Sequence, residues 1–323
     1  MEAKNPTKGL IAYLSRSDAS DISNLKRSLS LLDANFNDRF KYPVIIFHED
    51  FDEKLIKDIQ KCTHSNLRFE MIQFKIPSFL NRKEIPKIVY SLDCGFTIGY
   101  RHMCRFMSGL IFQHPAVRDY CYLWRLDTDS FLLDKIDYDV FELMGKNDYI
   151  YGYICIQKDG ANVVTGLWEA TKTYIEENNI KPTFLNRFLS NGVWDRSYYY
   201  TNFEISKIDF WRSDGALSYF NYLDKTGGIY KYRWGDHVIH LLTIAMFVPE
   251  NKVHQFSDIA YQHGFVPNNY LKEIEKDGGP RLRAFLKGFM SPVLKLSRKL
   301  RKRSKLYRKL LETLLPNNWL RSI

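Results

Sequence analysis

In the first third of the chain, segments with a strand pattern alternate with segments whose apolar residues have helical spacing. Segments 9–14, 42–47 and 67–74 each predict a strand; the first is a short apolar run, and Pro43 interrupts the second near its start. Between them, segment 20–32 repeats apolar residues at the spacing of one helix face, and segment 53–61 predicts a second helix. The resulting β-α-β-α-β order predicts a parallel sheet of the nucleotide-binding kind.

The pattern further along predicts the elements that carry candidate chemistry. Segment 100–112 predicts a long helix, and the apolar strand 120–126 runs directly into Asp127-Thr128-Asp129. A strand is expected at 204–211, and Gly235-Asp236 opens a further helix. Neither a GxGxxG motif nor a P-loop occurs, which argues against ordinary dinucleotide and P-loop sites.

Charge divides the chain into two parts. The 323 residues are 45% hydrophobic and 26% charged, which is ordinary globular composition, and the formal net charge is +10. Residues 281–323 hold 13 Lys and Arg against one acid, so residues 1–280 are close to neutral. We predict one mixed α/β domain over 1–280 and a basic amphipathic helical tail over 281–323.

The tail has three candidate roles. Its apolar residues recur at helical spacing among Lys and Arg, a pattern that favours an anionic membrane surface. The alternatives are a helix docked on the domain and a nucleic-acid-binding tail, of which the latter is the least favoured because the domain itself is not basic.

The chain has neither an N-terminal apolar signal core nor a run approaching the roughly 20 apolar residues that cross a bilayer. We therefore expect a cytoplasmic or peripheral-membrane protein. Its five cysteines lack CxxC spacing and predict reduced thiols, neither a disulfide framework nor a zinc site.

Asp127 and Asp129 form the first candidate for catalytic chemistry. Two residues apart in extended geometry, their side chains project to the same side, so one divalent cation can contact both. A sugar-nucleotide transferase uses such a cation to neutralise the diphosphate that departs as the glycosidic bond breaks. The alternative is a solvated turn, since acid-x-acid triplets also occur at Asp50/Asp52 and Asp137/Asp139.

Ordered sequence blocks between residues 8 and 264 make a more specific pattern. They are YRHMCRF at 100–106, YLWR at 122–125, DYDVF at 137–141, TNFEI at 201–205, LDKTGG at 223–228, RWGDHVIH at 233–240, NKVH at 251–254 and DIAYQH at 258–263. In this order they resemble glycosyltransferase family 15, the fungal Golgi α-1,2-mannosyltransferases. The family motif is usually Glu-Pro-Asp, whereas this chain has Asp127-Thr128-Asp129, and segment 158–200 matches the family poorly.

The resemblance implies a GT-A fold, GDP-mannose as donor, a glycan acceptor, a manganese ion (magnesium is the second candidate) and retention at the anomeric carbon. It also implies roles for individual residues: Glu204 as nucleophile or oxocarbenium stabiliser, Asp236 as an aid to the acceptor hydroxyl, His263 as a metal ligand beside Asp127 and Asp129, and Arg16, Tyr100, Arg125 and Asp127 at the donor. Its members typically act in the Golgi lumen.

The residues themselves leave alternatives open. Glu204 opens a predicted strand, so it is expected at a pocket rim or as a surface glutamate. Asp236 is placed to cap a helix, which would explain it without catalysis. His263 is a loop histidine, and a neutral imidazole beside carboxylates suits Mn²⁺.

At the level of function, a retaining mannosyltransferase is the first hypothesis. The same fold and retaining chemistry with a UDP-hexose donor is the second, because the Asp-Thr-Asp sequence occurs in many other GT-A enzymes. A non-catalytic membrane or RNA adaptor on a degenerate transferase fold is the third.

Overall fold

The computed structural model describes residues 8–91, 94–264 and 266–267. The strands are β1 (Gly9–Leu14), β2 (Val44–His48), β3 (Leu67–Met71), β4 (Val89–Ser91), β5 (Cys94–Phe96), β6 (Tyr122–Leu126), β7 (Ser130–Leu132), β8 (Tyr151–Tyr153), β9 (Ile156–Lys158), β10 (Leu189–Ser190), β11 (Val193–Trp194), β12 (Ser197–Tyr199), β13 (Phe203–Lys207), β14 (Val253–Gln255), β15 (Tyr261–His263) and β16 (Val266–Pro267). The helices are α1 (Ala19–Leu32), α2 (Asp38–Phe40), α3 (Glu53–Gln60), α4 (Ile98–Arg105), α5 (Ile111–Gln113), α6 (Val140–Lys146), α7 (Leu167–Glu177), α8 (Ile208–Trp211), α9 (Asp214–Thr226), α10 (Gly228–Tyr232) and α11 (Asp236–Phe247).

A seven-stranded sheet forms the centre of the domain, in the order β14-β8-β13-β6-β1-β2-β3. Strands β1, β2 and β3 are parallel, and β6 joins β1 in the same direction, which confirms the predicted β-α-β-α-β opening. Strand β13 is antiparallel to both β6 and β8, so the sheet is mixed. The predicted α/β class, with a central mixed sheet flanked by helices, is confirmed.

Burial explains why the central strands lack polar alternation. Every residue of β2 and β6 is buried, as expected for strands covered by helices on both faces. Helix α11 is apolar around most of its circumference and is buried along nearly its whole length. It therefore brings two histidines and an aspartate into the interior.

The long helix predicted at 100–112 begins two residues earlier, at Ile98, after the N-cap Thr97. It continues through a π-helical segment, Phe106–Leu110, into α5. Gly109 in this segment packs against Phe220, whose ring lies 2.6 Å from where a Cβ would be. The first turn of the helix faces the candidate site.

The strand predicted at 204–211 is shorter than expected. Strand β13 ends at Lys207, and Ile208–Trp211 is the short helix α8. The buried residues Ile205 and Ile208 are three positions apart, which suits a change from strand to helix and breaks the period of two that a continuous strand needs.

The predicted boundary at residue 280 and the predicted tail 281–323 lie outside the described residues, and both stay predictions. Across the described ranges, no helix has the length and apolar character needed to cross a membrane.

Candidate active site

A cavity of about 570 Å³ opens at the carboxyl ends of β1 and β6. Its wall includes Arg16 from the loop after β1, Tyr100 from the first turn of α4, and Asp127 and Asp129 from the loop after β6. Ligands of open α/β sheets bind at this edge. The structure therefore brings together four of the residues predicted from the sequence.

Asp21 connects two walls of this cavity and was not predicted as a site residue. Its carboxylate accepts hydrogen bonds from the Arg16 amide at 2.8 Å and from Thr128 Oγ1 at 3.0 Å. Asp18, and not Asp21, caps helix α1, because the Asp21 amide donates to the Asp18 carboxylate. An acid near a helix start looks like a cap in sequence, so no local signal separates the two roles.

Asp127, Asp129 and His263 form a cluster at the edge of the cavity, with ligand atoms within 4.8 Å of one another. His263 Nε2 lies 3.0 Å from Asp129 Oδ1 and 3.8 Å from Asp127 Oδ2. Strand β15 pairs with β7 so that His263 stands opposite Ser130, directly after Asp129. The Gly264 amide also donates to the Asp129 carbonyl at 2.9 Å.

The charges of this cluster depend on one another. Burial alone would lower the pKa of His263, but the bonds with Asp127 and Asp129 outweigh it and raise the pKa to about 9. Burial raises the pKa of the Asp127 carboxyl, but Arg125 and His263 lower it by more, so the net pKa is below the usual value. Two carboxylates and an imidazole are a donor set that fits Mn²⁺, while Mg²⁺ prefers oxygen ligands alone. The predicted metal ligands therefore fit a divalent cation.

Tyr200 supports the histidine from behind. Its phenol oxygen lies 3.1 Å from His263 Nδ1, the ring nitrogen that faces away from the aspartates. Such a partner fixes the orientation and tautomer of a metal-binding histidine. Sequence reasoning missed Tyr200, although it directly precedes the TNFEI block.

Arg125 lies behind the Asp-Thr-Asp loop and is only 3% exposed. Its Nε is 3.1 Å from Asp127 Oδ1, its Nη1 donates to Asp236 Oδ2, and Nη1 is 3.8 Å from Glu204 Oε1. The guanidinium is thus directed at three carboxylates. Its predicted role at the donor stays untested, and it is not part of the cavity wall.

Glu204 is buried, with 2% exposure, so both the pocket rim and the surface position expected for it are wrong. It lies on β13 opposite Arg125, between β6 and β8. Tyr151 Oη donates to Glu204 Oε2 at 2.7 Å, and His240 Nδ1 is 2.8 Å from the same oxygen. Its strand is central in the sheet, which is a property of topology that the local sequence does not reveal.

Asp236 does not cap helix α11, because Gly235 occupies the cap position and Asp236 is the first helical residue. Its carboxylate accepts from Arg125 and from Thr201 Oγ1, the latter at 2.7 Å. Burial raises the pKa of Asp236, but Arg125 outweighs burial and the net pKa lies well below the usual range. The capping interpretation is therefore wrong, and the carboxylate belongs to the buried charge cluster.

Tyr100 contacts Arg233, a residue that sequence reasoning did not single out. Arg233 Nη2 donates to its phenol oxygen at 3.0 Å, and Arg233 Nη1 donates to Asp159 at 2.7 Å. His237 Nε2 lies 2.8 Å from the same Asp159 oxygen. Arg233 and His237 belong to the RWGDHVIH block, whereas Asp159 lies in the poorly matching segment and carried no signal.

The mixed sheet, the cavity at its carboxyl edge and the Asp127-Asp129-His263 cluster together define the GT-A class of nucleotide-sugar-binding folds. A family model described as Glycolipid 2-alpha-mannosyltransferase matches residues 2–275, and the chain belongs to this family. The resemblance to glycosyltransferase family 15 is confirmed.

Relatives of the chain are fungal proteins named as mannosyltransferases. Probable mannosyltransferase KTR3 of Saccharomyces cerevisiae is 32% identical over 273 residues, covering 79% of this chain and 66% of the relative. Glycolipid 2-alpha-mannosyltransferase 2 of Candida albicans is 31% identical over 280 residues, covering 80% and 59%. The chain thus spans about three fifths to two thirds of the length of these relatives.

Solved crystal structures that are similar to this chain also belong to fungal mannosyltransferases. The Mn/GDP form of core-mannan synthase A (CmsA/Ktr4) from Aspergillus fumigatus superposes with a TM-score of 0.74 at 28% identity, covering 83% of this chain and 78% of that one. The mannosyltransferase Ktr4p from S. cerevisiae in complex with GDP gives 0.73 at 28% identity, covering 81% and 72%.

Proposed function

We propose that this chain is a divalent-metal-dependent, retaining α-1,2-mannosyltransferase that moves mannose from GDP-mannose to a hydroxyl of a glycan acceptor. The observation that carries the proposal is the convergence of Asp127, Asp129 and His263 at the edge of the cavity. The names of the relatives and the Mn/GDP form of core-mannan synthase A support the donor, the transferred sugar and the metal.

Asp127, Asp129 and His263 would hold the cation, with Mn²⁺ favoured over Mg²⁺ by the imidazole ligand. Bound there, the ion supplies positive charge for the diphosphate leaving group. Tyr200 keeps the His263 ring turned with Nε2 toward the aspartates. Arg125 holds Asp127 from the opposite side, so both ends of the site are fixed before a ligand binds.

Arg16 and Tyr100 form the donor side of the cavity in this proposal. The Arg16 side chain is 78% exposed and is held near the wall by Asp18 at 2.9 Å. An exposed guanidinium beside a cleft is suited to bidentate contact with phosphate or nucleobase oxygens. We assign Tyr100 to the donor because it lines the same cavity.

Glu204 is the carboxylate proposed to stabilise the oxocarbenium-like centre or to attack it. Its Oε2 is occupied by Tyr151 and His240, while Oε1 has no hydrogen-bond donor within the described part of the chain apart from the more distant Arg125. A retaining transfer needs a nucleophile or charge stabiliser on the face opposite the leaving group. We propose that Oε1 has this role.

Asp236 is proposed to assist the acceptor hydroxyl. Despite its burial, Arg125 holds the pKa of Asp236 far below neutral, and a carboxylate with such a pKa takes up protons poorly. Its assistance would therefore be that of a hydrogen-bond acceptor that orients the hydroxyl.

The second candidate keeps the fold and chemistry but uses a UDP-hexose. The observation in its favour is Asp127, which has one methylene fewer than glutamate and is followed by Thr128 in place of proline. A non-catalytic adaptor explains the buried convergence of Arg125, Glu204 and Asp236 less well, because buried ionised groups are costly to retain without a use.

A donor-hydrolysis screen tests the proposal. Purified protein is incubated with GDP-mannose, UDP-glucose, UDP-galactose or UDP-GlcNAc, each with Mn²⁺ or with EDTA, and the released nucleotide is measured. GDP released from GDP-mannose only with Mn²⁺ is the expected result. Release from a UDP-sugar instead would establish the second candidate, and no release from any donor, with or without added mannosides, would favour the adaptor.

A further inference from the structure

Arg233 forms a hydrogen bond with Tyr100, a tyrosine in the cavity wall. Its Nη2 donates to Tyr100 Oη at 3.0 Å, so the phenol oxygen serves as an acceptor on that side. Within the described residues, no acceptor lies within hydrogen-bonding distance of the phenol proton. Burial raises the pKa of Tyr100, so the phenol keeps this proton at neutral pH. Tyr100 is therefore a donor without a partner at the edge of the cavity.

Several contacts hold Arg233 in this position. Its guanidinium lies 4.3 Å from the centroid of the Phe96 ring and 5.3 Å from that of Tyr100. Asp159 Oδ2 accepts from Arg233 Nη1 at 2.7 Å and from His237 Nε2 at 2.8 Å. The Arg233 backbone is left-handed, at φ 64°, a conformation that costs a non-glycine residue free energy and persists where the surroundings impose it.

His237 reaches Asp159 because Gly235 leaves room for its ring. A Cβ at position 235 would lie 2.1 Å from His237 Cε1, which is shorter than any real contact. The His237 and Tyr198 rings also pack in a T-shaped arrangement, at a centroid distance of 4.5 Å. The carboxylate of Asp159 is thus held from two sides, and it fixes Arg233 in turn.

We propose that Arg233, held by Asp159 and His237, is a positioning residue that sets Tyr100 as the hydrogen-bond donor to an oxygen of the bound nucleotide sugar. This inference rests on the proposed function and extends it to three further residues, Arg233, Asp159 and His237. The ligand chemistry is an oxygen acceptor, which belongs either to the diphosphate or to the sugar. Asp159 contributes to donor binding through Arg233 without touching the donor itself.

The experiment is a double-mutant cycle on the full chain between Tyr100→Phe and Asp159→Asn. Calorimetry with Mn²⁺ gives the Kd for GDP and for GDP-mannose, and donor hydrolysis gives kcat and KM. Asp195→Asn is the matched control, because Asp195 lies in the same segment, is 22% exposed against 14% for Asp159, and pairs with Lys158 at 2.6 Å.

A second variant, His237→Phe, keeps the proposal testable if Asp159→Asn does not fold. It keeps an aromatic ring over Gly235 and removes only the N–H directed at Asp159. The melting temperature of each variant is recorded, so that a general loss of stability is recognised.

The expected result is a loss of GDP-mannose affinity of about tenfold in Tyr100→Phe and of about fivefold in Asp159→Asn, as for one hydrogen bond removed or weakened. His237→Phe should act in the same direction to a smaller degree, and Asp195→Asn should resemble wild type. In the Tyr100→Phe background, neither Asp159→Asn nor His237→Phe should cause a further loss. Equal weakening of GDP and GDP-mannose identifies a diphosphate oxygen, whereas weakening of GDP-mannose alone identifies a sugar oxygen.

Effects of Tyr100→Phe and Asp159→Asn that multiply would overturn the inference, because the two residues would then act separately. Unchanged affinity for both ligands in Tyr100→Phe would overturn it as well. If wild type binds neither GDP nor GDP-mannose nor a UDP-sugar, the proposed function fails, and this inference fails with it.

Discussion

The Arg125 guanidinium joins Asp127 to Asp236: its Nε lies 3.1 Å from Asp127 Oδ1, and its Nη1 donates to Asp236 Oδ2. The loop that carries the metal motif and the first turn of α11 therefore share one buried cation. A change at either carboxylate alters the hydrogen bonds available to the other. This coupling determines what single substitutions in the cluster should do.

Asp129→Ala should abolish Mn²⁺-dependent donor hydrolysis, with a decrease of at least about 100-fold, because one ligand of the cation is lost. The fold should persist, since the Asp129 side chain is 32% exposed and its partner His263 is also partly exposed. Released nucleotide and the melting temperature are the two measurements. Asp134→Ala, an exposed acid on the same chain segment, is the control. Activity of Asp129→Ala that equals this control would remove the metal assignment.

Tyr200→Phe should weaken Mn²⁺ binding about tenfold, because His263 loses the partner of Nδ1. At saturating Mn²⁺, kcat should return to near the wild-type value. An Mn²⁺ titration of hydrolysis measures both effects. Tyr42→Phe also removes one tyrosine–side chain hydrogen bond, that with Asp139 at 2.7 Å, and should leave the titration unchanged. An unaltered midpoint in Tyr200→Phe would mean that Tyr200 does not orient the ligand.

The metal cluster could be predicted from sequence only in part. Three Asp-x-Asp triplets look alike in sequence, but Asp52 and Asp139 cap helices by accepting from the amides of Leu55 and Phe141. Asp127 and Asp129 differ because both lie beside His263, with ligand atoms within 4.8 Å of one another. Their third partner, His263, comes from a strand far along the chain, and only the resemblance to the family indicated it.

The buried residues of the site could not be predicted without the topology of the sheet. The apolar runs predicted the parallel strands β1, β2 and β6 because burial on both faces leaves a continuous local signal. No local signal shows that Glu204 faces Arg125 across two antiparallel strands, or that Asp159 reaches Arg233. Pairings between distant segments are set by strand order and by loop paths, so their residues look like ordinary surface acids in sequence.

Glu204→Gln should lower kcat for donor hydrolysis by at least about 100-fold, with little change in the Kd for GDP-mannose. Glutamine keeps the shape and can still accept from Tyr151, so the interior should stay packed. Single-turnover kinetics and calorimetry separate the two effects. Glu142→Gln, on the exposed side of α6, is the control. Turnover within a few fold of wild type would make Glu204 a structural residue.

The tail 281–323 should bind anionic membranes through its Lys and Arg side chains. Substitution of Arg301, Lys302 and Arg303 by Glu in the full chain should reduce co-sedimentation with phosphatidylserine liposomes, since each basic residue near such a surface contributes about 1 kcal/mol. Neutral phosphatidylcholine liposomes should retain neither protein. Equal co-sedimentation of wild type and variant would exclude this membrane role, and salt-sensitive RNA binding by wild type alone would favour the nucleic-acid alternative.

Asp236→Asn should destabilise the domain by about 3 kcal/mol at pH 7, because Arg125 stays buried with one fewer counter-charge. The size of the effect should depend on pH. Burial raises the pKa of Asp236, but Arg125 lowers it by a larger amount. The folded-state pKa therefore lies below the unfolded value of about 3.9. A carboxylate with a lowered pKa contributes stability that is complete above the unfolded pKa and is lost as the pH falls toward the folded one.

Urea unfolding at pH 7 and at pH 3.5 should therefore show a larger difference between wild type and Asp236→Asn at pH 7. Asp134→Asn should differ little from wild type at either pH, because its side chain is exposed. A difference for Asp236→Asn that is the same at both pH values would show that the ion pair with Arg125 does not account for the stability lost.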